Sequence, residues 1–388
     1  MSIYKIIDSQ ISNDEKINIF KQKYFMYVRT EEKYSNLTLL KYFKNKSEDK
    51  YFNEMSTQCR GLIYDNELNE IRCFPPERAT SYDNFFQNLA HDNIEFKNIL
   101  VEDFIDGTMV NVFYDKSQKK HLISTRSRIG ADCYWSSDKT FSEMFYEVAT
   151  QQGLNFSSFH QDICFTFVLV HPNNRIVVKH QKADLILVSA RRLYSDHYEN
   201  LDLVEIQNEY KQNGIDVKIP TRYSFNTVEE MQEHLEQQDL TKQGFVLKHK
   251  NMRTKIRNSK YAHVKSMKSN TPFLINTYLE LRKKRKVDQF LKHFEEYKDI
   301  FRKFQEEIHS ITYEIYNWYV NCHKIRQYNV KEIPYQYKPH CRNLHNMYKK
   351  SVENKNKKPI KLNDVISYVN NLPVHSLVFI RNFYLQDK

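Results

Sequence analysis

The chain has 388 residues and a formal charge of +11, long enough for two domains and a large core. Only 6 Gly and 9 Pro stand against 27 Tyr and 25 Phe, which argues against long disordered or low-complexity tracts. No apolar run follows a basic start and none approaches 18 residues, so neither secretion nor a membrane span is expected, and the expected address is cytoplasmic.

Up to about residue 268 the apolar residues come in short, strand-like runs: Gly61–Tyr64, Met109–Tyr114, Cys164–Val170, Arg175–Val178 and Asp184–Ser189. Asp106-Gly107 lies between Ile99–Ile105 and Met109–Tyr114, and taken alone that dipeptide reads as a hairpin turn. Helical pieces intervene, such as Val228–Glu236 behind a cap at Asn226 or Thr227. Residues 1–268 are therefore expected to form an α+β domain of antiparallel sheets flanked by helices.

Beyond Thr271 the period changes. Val287, Phe290, Phe294, Tyr297, Phe301, Phe304, Ile308, Ile311, Ile315 and Trp318 recur in steps of three and four, which predicts one long amphipathic helix with its aromatic residues in the core. Shorter helices are expected over Pro339–Lys349 and Leu362–Leu385, the last capped by Asn363-Asp364. Residues 269–388 should thus be an all-helical domain.

That domain carries the excess charge. From Thr271 to Lys388 there are 22 Lys or Arg against 12 Asp or Glu, a local +10, leaving +1 for the first 270 residues. A basic patch confined to one domain is the footprint of a nucleic-acid binder. Arg282, Lys283, Lys284, Arg285 and Lys286 are the expected RNA contacts. The run from Lys349 to Lys361 fits a flexible charged loop, a further RNA contact or a nuclear import signal.

The six cysteines, Cys59, Cys73, Cys133, Cys164, Cys322 and Cys341, include no Cys-x-x-Cys pair. Neither a disulfide framework nor a four-cysteine zinc site is expected. Cys322-His323, His340-Cys341 and His345 lack a standard ligand spacing, so ordinary packing is the preferred reading and no metal site is assigned.

Several ordered stretches carry chemistry. Cys59-Arg60-Gly61 and Cys73–Arg78 precede Phe104-Ile105-Asp106-Gly107. Ser124–Gly130, Phe165–Val168 with Pro172–Val178, Gln243–Lys248 and Lys255–Arg257 follow. Together they resemble the nucleotidyltransferase motifs of the phage-type RNA ligase 1 family, the ATP-dependent enzymes that reseal broken tRNA, over roughly residues 55 to 265. The resemblance implies a ligase-like nucleotidyltransferase domain followed by an all-helical domain that helps recognise tRNA. It also implies nucleotide or phosphate contacts at Arg60, Arg78, Asp106, Arg126, Arg128, Lys248, Lys255 and Arg257. Arginine suits that task because its planar fork bonds phosphate in a bidentate way.

Three departures fall on three motifs. The family's nucleophilic lysine is Phe104, and its two glutamates that serve metal and nucleotide are Thr166 and Gln243. A benzyl ring cannot attack the α-phosphate of ATP, and neutral side chains hold Mg²⁺ poorly. The expectation is accordingly a degenerate member that is not an enzyme and needs no cofactor, with ATP or GTP at most a bound ligand. It would bind RNA, most simply tRNA or cleaved RNA ends, to protect or sequester it. Immunity against an RNA-cleaving toxin would follow, with that nuclease or a repair enzyme as partner. The alternative is an active RNA ligase with a displaced nucleophile, Lys248 or Lys255, and carboxylates such as Glu102 or Asp103 for the metal.

Overall fold

A computed structural model describes residues 2–43, 53–135, 137–269, 271–354 and 358–386. Part of the Lys349–Lys361 run lies outside the described residues. The chain divides into two compact units, residues 1–263 and 264–388. The division falls inside the helix Ser259–Met267, slightly before the expected boundary at 268.

Among the described residues thirteen strands build the first unit, and every pairing between them is antiparallel. Strands β1 (Tyr27–Thr30), β2 (Leu37–Lys41), β3 (Arg60–Asp65) and β4 (Glu70–Cys73) form one sheet in that order. Next in the chain come β5 (Leu100–Asp103), β6 (Thr108–Asp115), β7 (Lys120–Thr125), β8 (Ile163–Val170), β9 (Asp184–Leu193) and β10 (Tyr198–Asn200). The last three are β11 (Arg222–Tyr223), β12 (Gly244–His249) and β13 (Met252–Arg257). They make a five-stranded sheet ordered β10-β9-β8-β6-β7 and a four-stranded sheet ordered β11-β5-β12-β13.

Alternation decides which face each sheet buries. In β8 the side chains of Phe165, Phe167 and Leu169 join one core with Phe145 and Val148 of the helix Phe141–Gln151 and with Ile206 and Tyr210 of the helix Leu203–Gln212. Thr166 therefore points to the opposite face. In the four-stranded sheet Val101, Phe245 and Leu247 pack with Phe85 and Leu89 of the helix Tyr82–His91, and with Met231 and Leu235 of the helix Val228–Gln237. Thr227 caps the latter, its Oγ1 accepting from the Glu230 amide at 3.2 Å. Glu102, Val246 and Lys255 are consecutive cross-strand partners and so share the other face.

Two expectations fail here for one reason. Asp106-Gly107 is no hairpin turn, because β5 and β6 belong to different sheets and the dipeptide carries the chain between them. Gly107 passes so close to β8 that a Cβ would stand 2.5 Å from the Leu169 carbonyl oxygen. Arg175–Val178 is not a strand. Its Val177 and Val178 amides bind the Asp106 carboxylate instead of a neighbouring strand, at 3.1 and 2.8 Å.

The second unit is helical. The predicted long helix is interrupted: Val287–Leu291 ends before a short turn at Glu295–Tyr297, and the continuous helix is Lys298–Val320. The break stacks Phe294 on Phe290 with ring centroids 4.5 Å apart and leaves Phe290 5.3 Å from Phe301. At the far end the 3.6-residue period carries the buried stripe to Tyr319 rather than Trp318. Pro339 opens the helix Lys338–Glu353 in its first turn. Leu362–Leu385 is two helices, Leu362–Asn370 and Val374–Gln386, parted at Pro373, which lacks the amide a continuing helix would need. Asp364 caps the first of them from its third position, accepting from the Lys361 amide at 2.8 Å. His323 and His345 stack face to face at 4.1 Å, while Cys341 is wholly buried and directs its thiol to the Ile315 carbonyl. Among the described residues no three His, Cys, Asp or Glu converge to hold a metal.

Gly244 is the tightest backbone approach in the first unit: φ is +143° and a Cβ would lie 2.0 Å from the Ile256 carbonyl oxygen. Gly244→Ala should cost at least ~2 kcal/mol, lowering the unfolding midpoint by about 4–8 °C in a thermal melt.

Candidate active site

The site begins where β5 ends. The Phe104 amide extends the ladder to the Gly244 carbonyl at 3.0 Å, and the Lys255 ammonium stands 4.4 Å from the centroid of the Phe104 ring. The Arg257 guanidinium lies over the same ring at 5.5 Å. A cation against an aromatic face is a favourable contact. An amine two strands away thus stands against the ring at position 104.

Asp106 is buried, and its contacts are structural. Oδ2 accepts the Val177 and Val178 amides, Oδ1 accepts the Tyr261 hydroxyl at 2.9 Å, and the backbone carbonyl meets His180 Nε2 at 3.1 Å. Burial, with the Asp106 charge adding to it, pushes the Tyr261 hydroxyl far above its usual pKa. The resemblance places Asp106 among the nucleotide or phosphate contacts; here its carboxylate oxygens accept three donors of the protein, and an anion has no proton to give a phosphate.

A second centre gathers around Tyr42, next to the Arg60-Gly61 pair. Gly61, at φ +95°, allows β3 to approach Arg126, whose Cα would stand 2.9 Å from a Cβ there. Arg126 donates to the Tyr42 carbonyl at 2.7 Å and lies 4.3 Å over its ring, with Arg78 on the same ring at 5.9 Å. Arg60 directs one guanidinium nitrogen to the Met109 sulfur at 3.2 Å, a weak acceptor for so strong a donor. Burial, then the neighbouring Arg126, lowers the Arg60 pKa, with Tyr42 opposing. Arg253 is pushed down to about 9 by burial and by Arg60 and Arg191. Lys41, bonded to Ser127 Oγ at 2.9 Å, falls to about 8 through burial and the charges of Arg126 and Arg29. Positive groups crowded against one another in this way favour any anion that enters.

Glu77 anchors the edge of this centre. Arg191 grips it through two bonds of 3.3 and 2.9 Å, and Tyr198 donates to it at 2.6 Å. Burial pushes the Glu77 carboxyl up, but Arg191 and Tyr198 outweigh it and hold the pKa below the usual range. Glu77, Arg191 and Arg253 line a cavity of about 330 Å³ together with Glu102, Arg222 and Lys248.

The structure thus brings Arg60, Arg78 and Arg126 together at Tyr42, and Lys255 and Arg257 together at Phe104. Arg253, Lys255 and Arg257 alternate along one face of β13 and link the two centres over roughly 13 Å. Lys248 departs from expectation: Nζ is 2.6 Å from Glu102 and 3.0 Å from the Val188 carbonyl, so its charge is compensated inside the protein. Burial lowers its pKa, with Glu102 opposing. Arg128 is half-exposed and faces Glu31 at 3.9 Å. Arg191, Arg253 and Lys41 are members that motif reading missed. Arg253 was within its reach, two residues before Lys255 in a strand of period two.

A protein-held divalent cation does not fit these residues. Thr166 is buried and spends its hydroxyl on Asn111 at 3.0 Å, and Gln243 is buried and neutral. Of the nearby carboxylates, Glu102 is paired with Lys248 and Arg222, Asp103 with Lys242, and Asp106 is committed as above. Hard cations want several uncommitted anionic oxygens.

A family model described as RNA ligase matches residues 58–274, more than half of the chain. The chain belongs to this RNA ligase family. An RNA ligase of Rhodothermus phage RM378 is 27% identical over 128 residues, which are 30% of this chain and 29% of the phage protein. The chain therefore spans under a third of that relative's length in the match. Among solved structures it is similar to an archaeal ATP-dependent RNA ligase, at 16% identity over 79% of this chain and 74% of that one with a TM-score of 0.46. An RNA ligase of Naegleria gruberi with pyrophosphate is 16% identical over 50% and 58% of the two chains, with a TM-score of 0.37. The matched family and the phage relative are RNA ligases, and this overturns the expectation, drawn from Phe104, Thr166 and Gln243, of a chain that is not an enzyme. Among the described residues no helix of this RNA ligase family member is long and apolar enough to cross a membrane.

Asp106→Ala should destabilise the protein by at least ~3 kcal/mol, because two buried amides and a hydroxyl lose their acceptor, whereas Tyr261→Phe should cost about 1 kcal/mol in the same urea titration. A pH test follows from Lys41. An anion favours its protonated form, and the free amine predominates above about 8. Pyrophosphate affinity measured by calorimetry should therefore fall by up to tenfold between pH 8 and 9, and the fall should flatten in Lys41→Met.

Proposed function

We propose that the protein joins RNA ends through ATP-dependent nucleotidyl transfer, with Lys255 as the nucleophile. The observation that carries this reading is the Lys255 ammonium 4.4 Å from the Phe104 ring, on the strand that also presents Arg253 and Arg257. Family membership supports the reaction class. Lys248, the other candidate, is held by Glu102 and the Val188 carbonyl.

In the first step the Lys255 ammonium gives a proton to solvent, and the amine so formed attacks the α-phosphate of ATP. A P–N bond forms, the P–O bond to the β-phosphate breaks, pyrophosphate leaves with the electron pair, and the amine proton passes to solvent. Arg60, Arg126 and Arg253 offer guanidinium donors to the charge that gathers on the phosphates. Transfer of AMP from Lys255 to an RNA 5′-phosphate, breaking the P–N bond, then activates that end for attack by a 3′-hydroxyl. No step is assigned to a protein-held metal.

Broken tRNA is the substrate that the sequence resemblance suggests, and the basic cluster Arg282–Lys286 supports RNA as the polymer class. Protection against an RNA-cleaving toxin fits this reading as resealing of the cleaved ends.

Incubation with α-labelled ATP and Mg²⁺ should label the wild-type protein with an acid-labile adduct, lost in Lys255→Ala. Phe104→Lys restores an amine at the motif position and should raise labelling. A labelled Phe104→Lys beside an unlabelled wild type would overturn the reading, and a wild-type adduct that survives Lys255→Ala would overturn the role of Lys255.

A further inference from the structure

The helical unit holds a cavity of about 650 Å³ whose lining includes three cations and no carboxylate. Arg282, Lys283 and Arg285 line it from the C-terminal end of the helix Leu274–Lys283 and the turn that follows. Among the described residues none of the three is held in a salt bridge, unlike Arg381 of the same unit, which grips Glu307. Less polar residues also line it. Tyr313, 55% exposed, and Ile366, 39% exposed, come from the helices Lys298–Val320 and Leu362–Asn370. Asn370 and Asn371 add amide groups beside them. The size is that of a small-molecule site.

The backbone at Arg285 is one that glycine also suits. The helix ends in a paired-bond cap, with the Lys286 amide on the Leu281 carbonyl at 2.9 Å and the Arg285 amide on the Arg282 carbonyl at 3.1 Å. Such a cap places its next residue in the left-handed region, where glycine is usual. Arg285 occupies it at φ +55°. A β-carbon there is unfavourable, and among the described residues seven other non-glycine residues, Lys119, Lys250 and Arg326 among them, also stand at positive φ.

We infer that this cavity binds one unpaired nucleotide of an RNA strand, its phosphate on Arg282, Lys283 and Arg285 and its base against Tyr313 with Asn370 at the base edge. The inference rests on reading the protein as one that acts on RNA, but the cavity lies wholly within residues 264–388 and its test does not involve adenylation. Stacking on an aromatic ring tolerates any base, while amides reach the edges of a base that has left its stack. A phosphate-tracking surface alone would need no Tyr313.

Arg285→Gly separates binding from folding, because glycine suits the left-handed position. In fluorescence anisotropy with a labelled single-stranded RNA hexamer and the full chain, Arg285→Gly should match or exceed the wild-type melting temperature. It should also reduce the slope of log affinity against log salt by about 0.7. Tyr313→Ala should weaken binding at least about fivefold with the slope unchanged. Wild-type affinity in Tyr313→Ala would overturn the nucleotide and leave a surface that meets only phosphates. An unchanged slope in Arg285→Gly would overturn the phosphate end. An absence of RNA binding by wild-type protein that still forms the ATP adduct would overturn the cavity inference while leaving the nucleotidyl-transfer reading intact.

Discussion

The first unit depends on one buried carboxylate. Asp106 receives two backbone amides from a loop 71 and 72 residues away and a hydroxyl from a helix 155 residues away. Those three bonds fix the place where the chain leaves the four-stranded sheet for the five-stranded one. Phe104 is two residues before this clamp, so the ring's position against Lys255 follows from it. Hydrogen bonds to a charged acceptor are worth more than neutral ones, and each donor would be costly to bury alone. This aspartate thus holds the frame at the end of β5.

Those cations are the second constraint. Arg60, Arg126, Arg253 and Lys41 crowd against one another with Glu77 already taken by Arg191 and Tyr198. Folding alone would not select such an arrangement, since desolvated like charges destabilise the compact state. A polyanion would relieve that repulsion. Lys248 shows the contrasting case, in which a lysine on the same face is neutralised by Glu102 and becomes part of the wall.

Much of this was legible in the sequence. Short strand-like apolar runs identified β3, β6, β8 and β9, and the change of period after Thr271 marked the helical unit. What failed was non-local. Asp106-Gly107 carries a strong turn signal, but its partners are far away in sequence, and the same bonds turned Arg175–Val178 from a strand into a loop. The aromatic stripe hid a break because Phe290, Phe294 and Phe301 satisfy helical spacing and also stack across the interruption. Pro373 was a readable stop that the apolar pattern of Leu362–Leu385 obscured. At the site, motif reading placed Arg60, Arg126 and Lys255 in order along the chain, yet only the fold shows that Lys255 reaches Phe104 and that Arg191 and Arg253 join the cluster. Reading three substituted positions as lost activity treated the motif as the chemistry, although a group in space can be replaced from another strand.

The most direct test is a crystal structure with ATP or an analogue that resists transfer. The account predicts the α-phosphate within ~3.5 Å of Lys255 Nζ, the separation of a near-attack geometry, with the outer phosphates on Arg60, Arg126 or Arg253. A triphosphate whose α-phosphorus lies well beyond that reach of Lys255, with another amine closer, would contradict it.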